Sequence, residues 1–286
     1  MRFMAASLCT KMLGRLKRHW LVRRCSSPLV RTGAAFSYVL PSCSNAVWWL
    51  FQSREWTNFT YDLRPTNVEY LAALLSIVTK SAHADVVGYM QELIHDDNLQ
   101  AHVKNTTSKS RFRSEADLPA RFGRRLGWYA LVRATKPKTI VETGVDKGLG
   151  AVVLCAALLR NAAEGHAGRY FGTDINPHAG YLLTGPYATM GEILVGDSLA
   201  SLQALDTPID LFINDSDHSA DYEYQEYLAI AGKLGDSAII VGDNAHVTES
   251  LLGFSIEAGR SFLFWKEQPL NHWYPGGGIG ISWRPS

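Results

Sequence analysis

The sequence is poor in the features that define several classes of protein. Its four cysteines among 286 residues show neither CxxC spacing nor the spacing of zinc ligands. No uninterrupted apolar run reaches the roughly 18–20 residues that a membrane-spanning helix needs. A net charge of +1 gives no overall attraction to nucleic acid or to an anionic membrane. We therefore expect a globular protein of a reducing compartment, the cytoplasm, that does not bind nucleic acid.

Acidic residues are missing from the N-terminal part, since no Asp or Glu precedes Glu55. Basic residues are frequent there, and the spacing of Leu8, Met12, Leu16 and Trp20 predicts a short amphipathic helix. We predict a basic leader or amphipathic segment over residues 1–53. Three interpretations stay open: a solvated leader, a helix with weak contact to a membrane surface, and an organelle transit peptide.

The segment that follows has the apolar spacing of helices. One apolar face repeats over residues 71–78, and a second apolar run covers residues 86–94. These runs predict a helical cap region over residues 54–118. The polar and basic residues 104–113 predict a linker or mobile loop within it. A further helix is expected between Pro119 and Pro137.

After Pro137, strand-like and helix-like runs alternate regularly. Repeated β-then-α order produces a parallel sheet with right-handed crossovers, and two last strands joined by a glycine-rich turn are expected to be antiparallel. We predict an α/β fold over residues 119–286, with a doubly wound, mostly parallel sheet of seven strands, an antiparallel last strand and an N-terminal helical extension. The predicted strands are 139–142, 170–173, 192–195, 210–213, 238–241, 261–266 and 279–283; the helices are 151–159, a short one around residue 181, 199–205, 222–234 and 249–258.

A doubly wound sheet binds its ligand beyond the carboxyl ends of its strands, so the residues after each strand are the candidate site. The first strand ends in Glu142 and enters a turn with Gly144 and Gly148 before an apolar helix. Such a turn lets a ligand approach the backbone, although it also serves for plain chain reversal. The second strand ends in Asp174, a carboxylate suited to the two hydroxyls of a ribose.

Acids also follow the third, fourth and fifth strands. Asp197 and Ser198 stand where they could cap a helix, contact a ligand, or do both. Asp215 follows the fourth strand, and Asp243 and Asn244 follow the fifth. Carboxylate and amide oxygens are the ligands that Mg²⁺ prefers, which predicts a metal site; helix capping without a metal is the alternative.

His218 follows Asp215 by three residues and is suited to accept a proton near neutral pH. A lone histidine is more often structural, so we single out His218 only because the acids surround it.

These strand-end positions, taken in order, resemble the class I S-adenosylmethionine-dependent methyltransferases. The closest similarity is to the metal-dependent O-methyltransferases, including catechol-type enzymes and the cephalosporin- and macrocin-tailoring relatives. The resemblance covers roughly residues 119–283 and implies a Rossmann-like fold. The E-x-G-x-x-x-G motif of these enzymes is matched by Glu142, Gly144 and Gly148, whereas Gly150 stands where the family often has serine.

The resemblance also assigns roles. It implies that S-adenosyl-L-methionine is held by Glu142, Gly144, Gly148, Asp174, Asp197, Ser198 and Asp215, that Mg²⁺ is bound by Asp215, Asp243 and Asn244, and that Asp215 and His218 are catalytic. His218 stands where the catechol-type enzymes have lysine. The implied reaction is metal-assisted O-methylation of a small hydroxylated metabolite or a sugar unit.

Three other functions stay open. An NAD(P)-dependent oxidoreductase would also use this fold and Asp174, but it predicts a compact G-x-G-x-x-G that the turn lacks. A metal-independent methyltransferase would rely on His218 alone as base. A non-catalytic partner-binding protein would have no need of the acids at the strand ends. A homo-oligomer is compatible with each of them.

Overall fold

The computed structural model describes residues 20–56 and 59–285, with side-chain surroundings from residue 26 onward. The described residues form two compact units. The first holds the described residues up to Gln52 together with Asn271–Trp273, and the second holds the described residues of Ser53–Leu270 and those from Tyr274 onward.

The first unit contains one long helix, α1 (Trp20–Gln52). Within this unit, the Asn45 side-chain amide donates to the His272 carbonyl at 3.3 Å, and the rings of Trp49 and Trp273 meet edge to face at 5.4 Å. The expected N-terminal helical extension is therefore confirmed. Leu8, Met12 and Leu16 lie outside the described residues, so the short helix expected there stays a prediction.

The second unit begins with four helices: α2 (Pro65–Thr79), α3 (His83–Ile94), α4 (Asp97–Lys109) and α5 (Arg125–Thr135). The prediction of a linker or mobile loop over residues 104–113 is wrong for its first half, since α4 continues to Lys109. The reason is burial: Val103 and Thr107 lie one turn apart on the covered face of α4, so the polar residues between them only form its exposed side.

A sheet of seven strands follows, in the spatial order β3-β2-β1-β4-β5-β7-β6. Strands β1 to β5 pair in parallel, and β7 runs antiparallel to both β5 and β6. The predicted Rossmann-like sheet with its antiparallel last strand is confirmed. The strands are β1 (Thr139–Thr143), β2 (Arg169–Asp174), β3 (Gly191–Val195), β4 (Ile209–Asn214), β5 (Leu234–Gly242), β6 (Ser261–Lys266) and β7 (Gly278–Trp283).

The crossover helices are α6 (Leu149–Ala163), α7 (Ser198–Ala204), α8 (Ala220–Ile230) and α9 (Ser250–Glu257), with short 3₁₀ turns at Gly185–Met190 and Ala231–Lys233. The helix expected around residue 181 is absent from this part of the described chain. The Gly180 and Leu182 amides donate to the carbonyls of Asp146 and Lys147, at 2.6 and 3.2 Å, so they are not available for helical bonds.

Apolar side chains cover both faces of the sheet. On one face, Leu75, Met90, Trp128 and Leu154 belong to a single core shared by α2, α3, α5 and α6. On the other, Phe212 and Ile240 pack with residues of α8 and α9. A parallel strand order that reverses between β1 and β4 leaves a crevice at the carboxyl edge, which is where the polar residues gather.

Candidate active site

A cavity of about 670 Å³ opens at the carboxyl ends of the parallel strands. Its size is that of a small-molecule site. Seven of the sequence-predicted residues line it: Gly144, Asp174, Asp197, Ser198, Asp215, His218 and Asn244. Glu142, Gly148 and Asp243 are buried and do not line it. The sheet thus brings most of the predicted positions around one space.

Gly144 is the residue at which the turn after β1 meets the end of β4. Its φ is +80°, and a Cβ there would clash with the carbonyl oxygen of Asp215. The Gly144 amide donates to the Thr173 carbonyl at 2.9 Å, and the Asp215 amide donates to the Thr143 carbonyl at 2.9 Å. Only glycine permits this close approach of three strand ends. Gly148, at φ +88°, closes the same turn against Gly180.

Glu142 does not point into the cavity. Its carboxylate is buried beneath the start of α6, where Oε2 accepts the Tyr170 hydroxyl at 2.5 Å. Burial raises the pKa of Glu142 to about 7, although the Tyr170 bond opposes the rise. A side chain at position 150 would clash with the Glu142 carboxylate and the Trp128 ring, so the structure favours glycine at the position where the family that the sequence resembles often has serine. The predicted role of Glu142 in holding the cofactor stays a prediction. The observed contacts of its carboxylate are with residues beneath the turn, which they stabilise.

Asp174 holds the glycine turn in place. Its Oδ2 accepts the backbone amides of Val145 and Asp146 at 3.0 and 2.8 Å, and its Oδ1 accepts the Asn176 amide at 2.8 Å. A carboxylate offers about four lone-pair sites, so Oδ1 keeps one for a ligand. The sequence predicted acceptance of both ribose hydroxyls, whereas this arrangement offers a place for one of them.

Asp197 caps α7 and also lines the cavity. Its Oδ1 accepts the Ala200 amide at 2.9 Å, and its Oδ2 accepts the Tyr222 hydroxyl at 2.8 Å. These hydrogen bonds lower the pKa of Asp197, so that it is a fixed anion at neutral pH. The capping prediction is confirmed by this geometry, and Tyr222, which sequence reasoning missed, covers the same end of the cavity.

Glu226, on α8, is a second residue that sequence reasoning missed. Its buried carboxylate accepts the Ser216 hydroxyl at 2.8 Å and the Thr143 hydroxyl at 3.2 Å, and it also accepts Ser198 and Asn214. It therefore joins the ends of β1 and β4 to the start of α7. The sequence gives little sign of this, because Glu226 lies in a helix with several other acids.

The predicted acids of the fourth and fifth strands do converge with His218. One ligand atom each from Asp215, His218 and Asp243 lies within 4.8 Å of the other two. The Nε2 atom of His218 is 3.7 Å from Oδ1 of Asp215 and 3.1 Å from the side-chain nitrogen of Asn244. Burial raises the pKa of Asp215 well above its ordinary value, and the nearby Asp243 carboxylate adds to the rise.

Arg124 is the third residue that sequence reasoning missed, and it changes the character of this cluster. Its guanidinium binds both carboxylate oxygens of Asp243, through Nε and Nη2, and its Nη1 lies 3.5 Å from Oε1 of Glu267. Arg124 precedes α5 and stands 119 residues before Asp243 in the chain. No local spacing in the sequence links two residues so far apart.

The arrangement bears directly on the predicted Mg²⁺. The three ligand atoms have the chemistry and the spacing for a divalent cation. The Asp243 carboxylate, however, is taken by the guanidinium, and a second cation at the same oxygens would be repelled. The residues therefore do not fit the metal while Arg124 binds Asp243, and the Mg²⁺ site of Asp215, Asp243 and Asn244 stays a prediction.

Comparison with known proteins agrees with the fold. A family described as a methyltransferase domain matches residues 141–245. No curated protein sequence gives a significant match. Among solved structures, the O-methyltransferase TomG from Streptomyces achromogenes, in complex with SAM, is 19% identical, with a TM-score of 0.51 over 70% of this chain and 95% of its own. Cofactor-bound Rv0187 from MTB is 16% identical, with a TM-score of 0.50 over 69% of this chain and 95% of its own.

At these identities the two structures speak for the fold alone, while the matched domain falls on the turn, the acids and His218 described above. The resemblance to the class I S-adenosylmethionine-dependent methyltransferases is therefore confirmed: residues 141–245 match a methyltransferase domain family, and the fold is that of the similar solved structures.

Proposed function

We propose that the protein transfers a methyl group from S-adenosylmethionine to a hydroxyl oxygen of a small molecule. The observation that carries the proposal is the single cavity that joins Asp174 and Asp197, at one end, to Asp215 and His218 at the other. The first end suits a nucleoside and the second suits proton removal. In support, the solved structures of similar fold include an O-methyltransferase with SAM bound.

The residues divide the work of binding. Asp174 offers its free Oδ1 site to a ribose hydroxyl, and the turn at Gly144 brings backbone close to the ligand. The ordered hydroxyl of Tyr222 closes the side near Asp197. When bound there, S-adenosylmethionine supplies a methyl group already activated on a sulfonium sulfur, so the protein needs mainly to position the acceptor.

His218 takes the proton from the acceptor hydroxyl. Its Nε2 faces Asp215, whose carboxylate, when ionised, stabilises the imidazolium that forms. As the hydroxyl proton passes to the imidazole, the acceptor oxygen becomes the nucleophile that the methyl group requires. Removing such a base typically lowers a rate by about 10²–10⁴-fold.

A smaller cavity of about 180 Å³ is the proposed acceptor pocket. It shares Arg124, Arg125 and Asn244 with the larger cavity, so the two spaces meet beside the acid cluster. Phe59, Tyr61 and Tyr274 line it, with Tyr274 centred 5.7 Å from Phe59 and 5.9 Å from Tyr61. Its size and its aromatic wall favour a small ring-bearing acceptor over a polymer.

Calorimetric titration with S-adenosylhomocysteine and with NADH tests the proposal. We expect S-adenosylhomocysteine to bind and NADH not to bind, and Asp174→Ala to weaken the former. Binding of NADH alone would support the oxidoreductase instead. Binding of S-adenosylhomocysteine with no turnover of any hydroxylated acceptor would leave a cofactor-binding protein without the proposed activity.

The reaction could proceed in two ways, with or without a metal ion. Metal assistance is supported by the spacing of Asp215, His218 and Asp243, and it predicts that EDTA abolishes turnover. A metal-independent reaction with His218 as base is supported by the bond between Arg124 and Asp243, and it predicts unchanged turnover in EDTA. In either version His218→Ala should lower the rate, and His166→Ala, an exposed histidine outside the cavity, should not.

A further inference from the structure

Arg124 and three carboxylates form a buried charged cluster where the two cavities meet. The carboxylates are Asp215, Asp243 and Glu267. Asp243 and Glu267 are fully covered, and the Arg124 side chain is only 13% exposed. Ionised carboxylates packed this closely repel one another, and either protonation or a cation between them relieves the repulsion. The question is whether that cation comes from solution or from the chain.

The guanidinium has the geometry of a built-in partner. It engages Asp243 through two nitrogens, the fork arrangement in which arginine binds carboxylates most strongly. Asp243 is itself fixed at the end of β5, since its amide donates to the Asn214 carbonyl at 2.7 Å. Burial acts to lower the pKa of Arg124, but the carboxylates of Asp243 and Glu267 outweigh it and raise the pKa above the ordinary value.

We infer that Arg124 is the resident cation of this cluster and takes the place that a divalent ion holds in the related metal-dependent enzymes. The inference rests on the proposed function, because it concerns the same acceptor end of the site. Arg124 lines both cavities, so its charge lies where an acceptor oxygen would meet the cofactor. Arg124 would stabilise the negative charge that develops on the acceptor oxygen, so that no metal ion is needed there.

Manganese binding, followed by the loss of the free Mn²⁺ signal in electron paramagnetic resonance, tests this on the full chain. We expect weak binding by the wild type and at least ten-fold tighter binding by Arg124→Ala, because the variant frees the Asp243 carboxylate. Arg124→Lys, which keeps the charge, should bind Mn²⁺ as weakly as the wild type. Arg121→Ala is the matched control, since Arg121 is a partly exposed arginine that pairs with Asp117 outside the cluster.

Tight binding of one Mn²⁺ per wild-type chain would overturn the inference, as would equal affinities in the wild type and a folded Arg124→Ala. The wild-type titration alone decides the matter if Arg124→Ala does not fold. Failure of S-adenosylhomocysteine to bind would contradict the proposed function and would leave the Mn²⁺ comparison intact, so the two failures are distinguishable.

A second, independent observation concerns helix α1. Five of its ten exposed large apolar residues, Leu29, Phe36, Leu40, Val47 and Phe51, are spaced by seven and four residues, which places these five in one stripe along the helix. Asn45 and Trp49 fall on the opposite side, and that side contacts His272 and Trp273. The stripe therefore faces away from Asn271–Trp273, the other described segment of this unit.

The charge around the stripe is of one sign. Helix α1 carries Arg23, Arg24 and Arg31 and no acidic residue, and no Asp or Glu precedes Glu55 in the sequence. Two copies of such a segment would repel each other, whereas an anionic lipid surface is complementary to it. The described helices include none that is long and apolar enough to cross a membrane.

We propose that α1 lies in the surface of an anionic membrane with this stripe in the lipid. The test is flotation of the full chain with phosphatidylcholine vesicles, with and without phosphatidylserine. We expect binding only to the anionic vesicles, weakened by salt and lost in Phe36→Ser with Leu40→Ser. Tyr38→Ser is the matched control, because Tyr38 is exposed but lies opposite the stripe.

Absence of binding to anionic vesicles would overturn this proposal, and so would equal binding by the stripe variant. A stable dimer that the stripe variant dissociates, with no vesicle binding, would assign the stripe to a second copy of the chain instead.

Discussion

Glu142 is an acid held in a position where its charge is costly. It is fully buried, and its pKa is raised from 4.5 to about 7, mainly by burial. Below pH 4.5 both the folded and the unfolded chain carry it protonated. Between pH 4.5 and 7 the unfolded chain ionises while the folded chain stays neutral, so stability falls as pH rises.

Glu142→Gln should therefore be more stable than the wild type at pH 8 and equal to it near pH 4. The shift in pKa corresponds to a gain of up to about 3 kcal/mol above pH 7. Gln keeps an acceptor for the Tyr170 hydroxyl, so the comparison isolates the charge. Urea unfolding of both chains at the two pH values measures it. A constant difference between the two chains across this range would contradict the prediction.

Gly150 is the neighbour that makes room for the Glu142 carboxylate. Gly150→Ser places a side chain against Glu142 and Trp128, so we expect a loss of about 1–3 kcal/mol in the free energy of unfolding. Gly88→Ala, in the interior of α3 with open space around it, is the control and should stabilise by up to about 1 kcal/mol. Equal changes in the free energy of unfolding for the two substitutions would show that helix propensity, rather than the space available, determines the effect at position 150.

At the scale of the elements, the alternation of strands and helices was readable because periodicity is a local property. All seven strands lie where the apolar runs predict them, within a few residues. The local signals failed where distant contacts decide. Residues around 181 bond to the glycine turn instead of forming a helix, and α4 extends through polar residues because its buried face continues.

The same limit applies to the site. Asp174, Asp197, Asp215 and His218 could be located because strand ends of a parallel sheet share one edge. Arg124 and Glu226 could not, since their importance comes from partners that only the folded chain brings near. Glu142 was predicted at the end of the first strand and lies there, but only the structure shows that its carboxylate lies beneath the turn.

Glu226 links β1, β4 and the start of α7, so its removal should destabilise more than α8. Glu226→Ala leaves the donors of Thr143, Ser198, Asn214 and Ser216 without their acceptor. Buried unsatisfied groups cost about 1–3 kcal/mol each, so we expect a loss of about 3 kcal/mol or more in stability, with weaker binding of S-adenosylhomocysteine. Glu257→Ala, at an exposed position of α9, is the control. Unchanged ligand affinity in Glu226→Ala would mean that the strand ends hold their shape without it.

For the second unit as a whole, the question is whether its helices α2, α3 and α4 form a cap that can open or a part of the core. Leu75 on α2 is fully buried in the same apolar core as Trp128 and Leu154. Leu75→Ala should therefore lower the stability of the entire second unit, by about 2–5 kcal/mol. Ile77→Ala, on the exposed side of the same helix, should change it by less than about 0.5 kcal/mol.

Urea unfolding, followed by tryptophan fluorescence and by far-ultraviolet circular dichroism, measures both variants. A shared core predicts that the two signals change together and that the midpoint of Leu75→Ala moves for both. A separable cap predicts two transitions, of which only the first moves. The second outcome would give the helices of residues 54–118 a folding unit of their own, free to open over the acceptor pocket. The first would make closure of the site a matter of side chains such as Tyr274 and Arg124, because the helices could not leave the core without unfolding it.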